Sequence, residues 1–259
     1  MSIYVERRPV RAKLGRHVRH DTRSLRYLVP ETTAVFTPVK WANPGRVLDQ
    51  GDLGACTGFA TATCLNHSPY VANKTDDDAI AIYSLATTLD SYAGSYPPTD
   101  TGSDGLSAAK ASVKLGLISG YLHITTPAQL ASALVLGPVI VGTDWYNSMF
   151  TADADAVVSV AKSSGLAGGH EYTLDEVTSD GYFGFTNSWG ESFGVKGRFY
   201  MSQASFLTLL AAKGDATHFV PLSAPAPTPT PPPAPPEVDA NTLAAYRSLQ
   251  AWAKLNKVQ

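Results

Sequence analysis

The stretch PLSAPAPTPTPPPAPP, residues 221–236, sets the limit of what this chain can fold into. Nine of its sixteen residues are proline, which fixes φ and removes the backbone donor, so the stretch fits neither a helix interior nor a central strand. It predicts extended polyproline II of roughly 50 Å at about 3.1 Å per residue, and a linker assigned to residues 222–238. The folded domain must therefore end near residue 221. Past the linker, Leu243, Tyr246, Leu249, Trp252 and Leu255 recur at three-residue steps and predict an amphipathic helix over 239–257. With no core within reach, its apolar stripe calls for a partner or a second copy of the chain.

The opposite end is also set apart. Residues 1–30 carry Arg7, Arg8, Arg11, Lys13, Arg16, Arg19, Arg23 and Arg26 against only Glu6 and Asp21. Apolar positions are too sparse for such a leader to fold alone, so it either packs on the domain behind it or stays a solvated tail. No apolar segment follows the basic residues as a secretory signal requires, which predicts a cytoplasmic protein, or one that leaves by lysis or in a virion. No run of about 18 apolar residues is present to cross a bilayer. A net charge of −2 gives no motive for nucleic acid or an anionic membrane as partner.

Between these ends, residues 31–221 read as one mixed domain. ACTGFATATCLNH, DDDAIAIYSLATTLDSY and GLSAAKASVKLGL predict three helices, followed by the strand runs PVIVGTDW, EYTLDEV, YFGFTNSW and GRFYMS. Helices first and strands second imply an α+β domain with two subregions rather than alternating βαβ units.

The chain has two cysteines, Cys56 and Cys64. On one helix their Cα atoms would stand about 12 Å apart, beyond the roughly 7 Å limit of a disulfide. Cys64 falls among apolar residues and reads as an inert packing thiol. Cys56 follows the polar, glycine-bearing loop DQGDLGA, at a predicted helix N-terminus, where the dipole favours a thiolate and substrate can reach it. A thiolate nucleophile needs a base from another element. His170, in AGGHEY, is the best placed of six histidines, and Asn187 in FTNSWGESFG can hold its ring by the other nitrogen while Trp189 keeps water away. His17, His20, His67, His123 and His218 show no metal-ligand spacing, and no metal or organic cofactor is expected.

These pieces resemble the papain family of cysteine peptidases over about residues 38–221. Gln50 with GDLGAC, the GGH strand and NSWGESFGVKGRFYM stand in the family's order of glutamine, cysteine, histidine and asparagine. Leu53 and Thr57 replace the cysteine and aromatic that flank the nucleophile in the usual signature. His170 and Asn187 follow Cys56 by 114 and 131 residues, a compact spacing similar to bacterial and phage members with a short leader. The resemblance implies two subdomains, a helical N-terminal half and an antiparallel β-barrel-like C-terminal half, with the active site in the cleft between them. It implies a thiol endopeptidase with Cys56 as nucleophile, His170 as base, Asn187 as its orienter and Gln50 as oxyanion donor. Acyl transfer or cell-wall peptide cleavage at the same site, and a non-catalytic binding module, are the alternatives. By the same resemblance, Gly102 and Ser103 pair with substrate backbone, and Asp104 and Glu171 are two walls of a pocket favouring a basic substrate residue. The leader is then expected to cover the cleft as a weak inhibitor or to clamp the domain.

Overall fold

The structure, a computed structural model, describes residues 13–21 and 24–222; the first part of the leader, the linker from residue 223 and the 239–257 helix lie outside the described residues. After a two-residue strand, β1 (Val39–Lys40), come the three expected helices: α1 (Cys56–Asn66), α2 (Asp76–Leu89) and α3 (Gly105–Lys114). The second half runs β2 (Gly120–Ile124), α4 (Pro127–Leu136), β3 (Val139–Tyr146), β4 (Leu166–Val177), β5 (Tyr182–Thr186), β6 (Arg198–Ser202), α5 (Gln203–Lys213) and β7 (Asp215–Val220).

Local sequence explains the boundaries. Thr75 and Asp78 form a reciprocal capping box at the start of α2, and Asp76, Asp77 and Asp78 put negative charge at its positive end. Asp104 caps α3 by accepting from the Ser107 amide at 2.8 Å. The strand-rich second half departs from the sequence expectation by holding α4 and α5. Both carry start signals: Thr126 and Gln129 form a capping box with Pro127 at the first turn, and Ser202 caps α5.

The strands form an antiparallel sheet in the order β2-β7-β3-β4-β5-β6, with β1 paired to the end of β4. The sheet path runs from β2 to β6 and forms the antiparallel C-terminal half that the resemblance implies. Strand alternation decides which side chains meet. His170 and Tyr172 point from β4 toward Trp145, whereas Thr173 reaches α1, donating to the Ala60 carbonyl at 2.9 Å, and Asp175 meets His67 just beyond that helix.

All eleven residues of α1 are buried, which matches its lack of a polar face. One apolar cluster lies on the helical side (Phe59, Ile82, Tyr83, Ala86), another on the sheet side (Val141, Trp145, Leu174, Phe185, Phe199), and a third at their junction (Cys64, Leu65, Tyr121, Ile140, Phe219). Gly58 allows α1 to touch α2, because a Cβ there would lie 2.4 Å from the Ala79 carbonyl oxygen. The N-terminal end of α1 is thus held rigidly against β4, with Cys56 as its first residue.

Candidate active site

The loop before α1 is pinned to the strand end that carries Asn187. The Gln50 amide donates to the Ser188 carbonyl at 2.9 Å, and the Ser188 hydroxyl donates to Gln50 Oε1 at 2.7 Å. With its oxygen fixed, Gln50 presents its Nε2 toward the loop and donates to the Leu53 carbonyl at 2.7 Å. Gly51, at φ +56°, supplies the left-handed turn that brings the chain round to Cys56.

His170 lies on β4 opposite Thr143 and is fully buried. Trp189 stacks on its ring at 4.5 Å between centroids, and Trp145 meets it edge-on at 5.0 Å. Asn187, just past β5, accepts from His170 Nε2 at 2.8 Å. An amide oxygen only accepts, so this bond places the imidazole proton on Nε2 and leaves Nδ1 with a free lone pair. Nδ1 is buried and has no hydrogen-bond partner. The backbone amide of Glu171, the next residue along β4, faces the Cys56 sulfur. The structure therefore joins His170, Asn187 and Trp189, and sets the residue after His170 against the Cys56 end of α1.

It also shows what covers them. Leader residues Lys13–His17 lie along the cleft in extended form. Arg16 N donates to the Gly169 carbonyl at 3.1 Å, His17 N to the Ser103 carbonyl at 2.8 Å, and Ser103 N to the Gly15 carbonyl at 2.9 Å. Gln50 Nε2 donates its second hydrogen bond to the Lys13 carbonyl at 3.0 Å. Lys13 pairs with Asp100, His17 stacks on Tyr92 at 4.2 Å, and Arg19 donates to Ser107 Oγ at 2.9 Å. Gly102 takes its left-handed turn, φ +71°, directly under this segment: a Cβ there would lie 2.3 Å from the Gly15 carbonyl oxygen.

Coverage corrects two expectations. Cys56, read from its loop as exposed, has no accessible surface, because the leader fills the cleft above it. Its thiol is not acidified in this form: burial, then the neighbouring Glu171 carboxylate, pushes it up to about 12. Burial likewise lowers His170 to about 4, against the opposing Asn187 hydrogen bond. With the leader in place, burial opposes charge on both Cys56 and His170.

The acidic pocket is built differently from the sequence expectation. Asp104 spends its carboxylate on Ser107 and Arg19, at the start of α3. Glu171 does face inward, and the second acid in contact with the pocket's contents is Asp215, at the start of β7. No sequence spacing identified Asp215, which reaches the site only through tertiary folding; Ser188, between Asn187 and Trp189, was passed over within the quoted stretch. Cys64 is buried behind α1 near the Pro138 carbonyl, with a thiol raised by burial, as expected of a packing residue. Both cysteines are free.

Among the described residues no helix is long and apolar enough to cross a membrane, and no cluster of three metal-binding side chains occurs. No family model and no curated protein matches the chain. Solved structures do. Xylellain, a cysteine protease from Xylella fastidiosa, superposes with a TM-score of 0.65 at 18% identity, over 85% of this chain and 100% of that one. Digestive procathepsin L 3 of Tenebrio molitor larval midgut gives 0.57 at 17% identity, over 76% and 74%. The proform of the ragweed pollen cysteine protease Amb a 11 gives 0.53 at 16% identity, over 77% and 68%. The fold is that of the papain-like cysteine proteases.

Proposed function

We propose that this chain is a cysteine endopeptidase whose leader holds it inactive until displaced. The single observation that carries the reading is the His170–Asn187 hydrogen bond, which leaves Nδ1 as an unpartnered base on the strand residue next to the one whose amide faces Cys56. The peptidase names of the similar folds agree with it.

In this reading a peptide carbonyl comes to the Cys56 sulfur, with its oxygen directed at Gln50 Nε2 and the Cys56 backbone amide. His170 Nδ1 takes the thiol proton as sulfur attacks, and Asn187 holds the resulting imidazolium. The proton passes to the leaving amine, the acyl group remains on sulfur, and water attacks the thioester in the second half-reaction. The oxyanion donors are preorganised because the side-chain oxygen of Gln50 is fixed by Ser188. Trp145 and Trp189 exclude water from the His170–Asn187 bond, which strengthens it.

The leader mimics a bound peptide without being cut. It makes extended backbone hydrogen bonds to Ser103 and Gly169, and its Lys13 carbonyl takes the Gln50 Nε2 hydrogen bond that a substrate oxygen would use. Two of the similar structures carry a pro-segment by name, which accords with this role.

The test is hydrolysis of an unstructured protein by the full-length chain and by the same chain with Arg16→Ala, which loosens the leader. Cleavage that rises with Arg16→Ala and disappears on adding Cys56→Ser or His170→Ala supports the reading. Turnover that persists with serine at position 56 contradicts it.

A further inference from the structure

The cleft-lying part of the leader makes backbone bonds that any extended peptide could make; the side chain of Arg16 is different. It is buried completely, in a recess between α3, β3, β4 and β7. Its Nε donates to Asp215 Oδ2 at 3.0 Å and lies 3.7 Å from Glu171 Oε2, while Nη2 donates to the Lys213 carbonyl at 2.7 Å and pairs with Asp215. Two glycines make the room. A Cβ on Gly142 would sit 2.2 Å from Arg16 Nε and 2.4 Å from Glu171 Oε2, and one on Gly105 would sit 2.5 Å from Glu171 Oε1 and 3.0 Å from Asp215 Oδ1. Neither Glu171 oxygen has a hydrogen-bond partner, although both are buried. With Arg16 seated, Asp215 is hydrogen-bonded and Glu171 is paired by charge alone, so both acidic side chains lose this partner once Arg16 leaves.

We propose that Glu171 and Asp215 are the specificity-determining residues of an arginine-selective substrate pocket, and that Arg16 occupies it as a stand-in for a substrate arginine. This rests on the peptidase reading above. An apolar residue entering the recess would desolvate both carboxylates without compensation. An arginine restores the pairing with its planar fork, spanning Asp215 and the Lys213 carbonyl together. A lysine, with a single point of charge, reaches fewer of these acceptors. The order of preference is arginine, then lysine, then leucine or phenylalanine. The same pocket makes the leader a competitor of arginine-containing substrates, since both need the one seat.

The experiment uses the full-length chain with Arg16→Ala, which empties the recess, and a fluorogenic peptide library varied one position at a time. The expected result is one position at which arginine exceeds leucine in kcat/KM by about 10- to 100-fold, the worth of a hydrogen-bonded charge. Adding Asp215→Asn, and separately Glu171→Gln, should reduce that ratio, so that failure of one variant to fold leaves the other to decide. In parallel, calorimetry with n-propylguanidinium should detect binding to Arg16→Ala and none to the wild type, whose recess is filled. Leucine or phenylalanine matching arginine at every position, or an arginine preference untouched by both carboxylate variants, overturns the pocket while leaving the peptidase intact. Guanidinium binding without cleavage of any peptide supports the pocket and contradicts the peptidase.

Discussion

Gly15→Ala is the smallest change that should lift the leader. A Cβ at residue 15 would lie 1.9 Å from the Gly54 carbonyl oxygen, 2.4 Å from its carbon and 2.6 Å from its Cα. These are backbone atoms two residues before Cys56, held by the Gly54 amide's bond to Asp100, so they cannot rotate aside. The leader must retreat instead, by more than its hydrogen bonds tolerate: Ser103 N to Gly15 O at 2.9 Å, Arg16 N to Gly169 O at 3.1 Å and Gln50 Nε2 to Lys13 O at 3.0 Å. At about 1 kcal/mol each, losing three weakens the covered state by about 3 kcal/mol, which raises the uncovered population roughly 10²-fold. Alkylation of Cys56 by iodoacetamide, followed by intact mass and peptide mapping, reads that population. Cys64, buried behind the same helix, is the internal reference. The expected result is a roughly 10²-fold faster reaction at Cys56 with Cys64 unchanged. An unchanged Cys56 rate would refute the covering role of the leader, and equal acceleration at both cysteines would mean general unfolding.

Three further outcomes follow from the same geometry. Gln50→Ala, made in the Gly15→Ala chain, should lower kcat by about 10²- to 10³-fold with a small change in KM, the pattern of a lost oxyanion donor; steady-state kinetics on a peptide ester checks it. Asp175 is fully buried and is held ionised, against the upward push of burial, by His67 and by Arg198 at 2.6 Å. Asp175→Ala should cost about 3–5 kcal/mol in urea unfolding, because the Arg198 guanidinium loses its counter-charge and His67 loses its acidic neighbour. Burial lowers His123, His170 and His218 each to about 4. Above about pH 6.5 these groups are neutral in both states and the fold keeps its full stability; as pH falls toward 4 the unfolded chain alone takes up protons, costing up to about 3 kcal/mol per histidine. Tm measured through this range should fall steadily, and the fall should lessen in His218→Gln.

The members of the proposed site could be singled out in the sequence because each sits in a local pattern with a physical reason: a glycine-bearing loop before a helix for Gln50 and Cys56, paired glycines before a strand for His170, a strand end for Asn187. α2 and α3 were legible through acids and caps at their starts, and α1 through the helix-compatible run that opens behind a glycine-bearing loop. The second half was harder to read, since β-rich runs surround α4 and α5 and obscure caps such as Thr126 and Ser202 that were present in the sequence. What local pattern could not supply is distance. Asp215 lies 44 residues beyond Glu171 and meets it only because β7 pairs with β3, which pairs with β4. Asp104, the acid that the family resemblance pointed to, is claimed by Ser107 and Arg19. The basic leader offered a charge count without a path; the path comes from bonds at Ser103, Gly169 and Gln50 that residue composition does not encode.

The central claim, that Cys56 is a nucleophile activated by His170, is tested most directly by covalent capture. The Gly15→Ala chain is incubated with a peptidyl vinyl sulfone, and the adduct is located by intact mass and peptide mapping. One adduct on Cys56, formed about 10²-fold or more slowly when His170→Ala is added, is the predicted result. An adduct on Cys64, no adduct, or labelling of Cys56 at the same rate without His170 would contradict it.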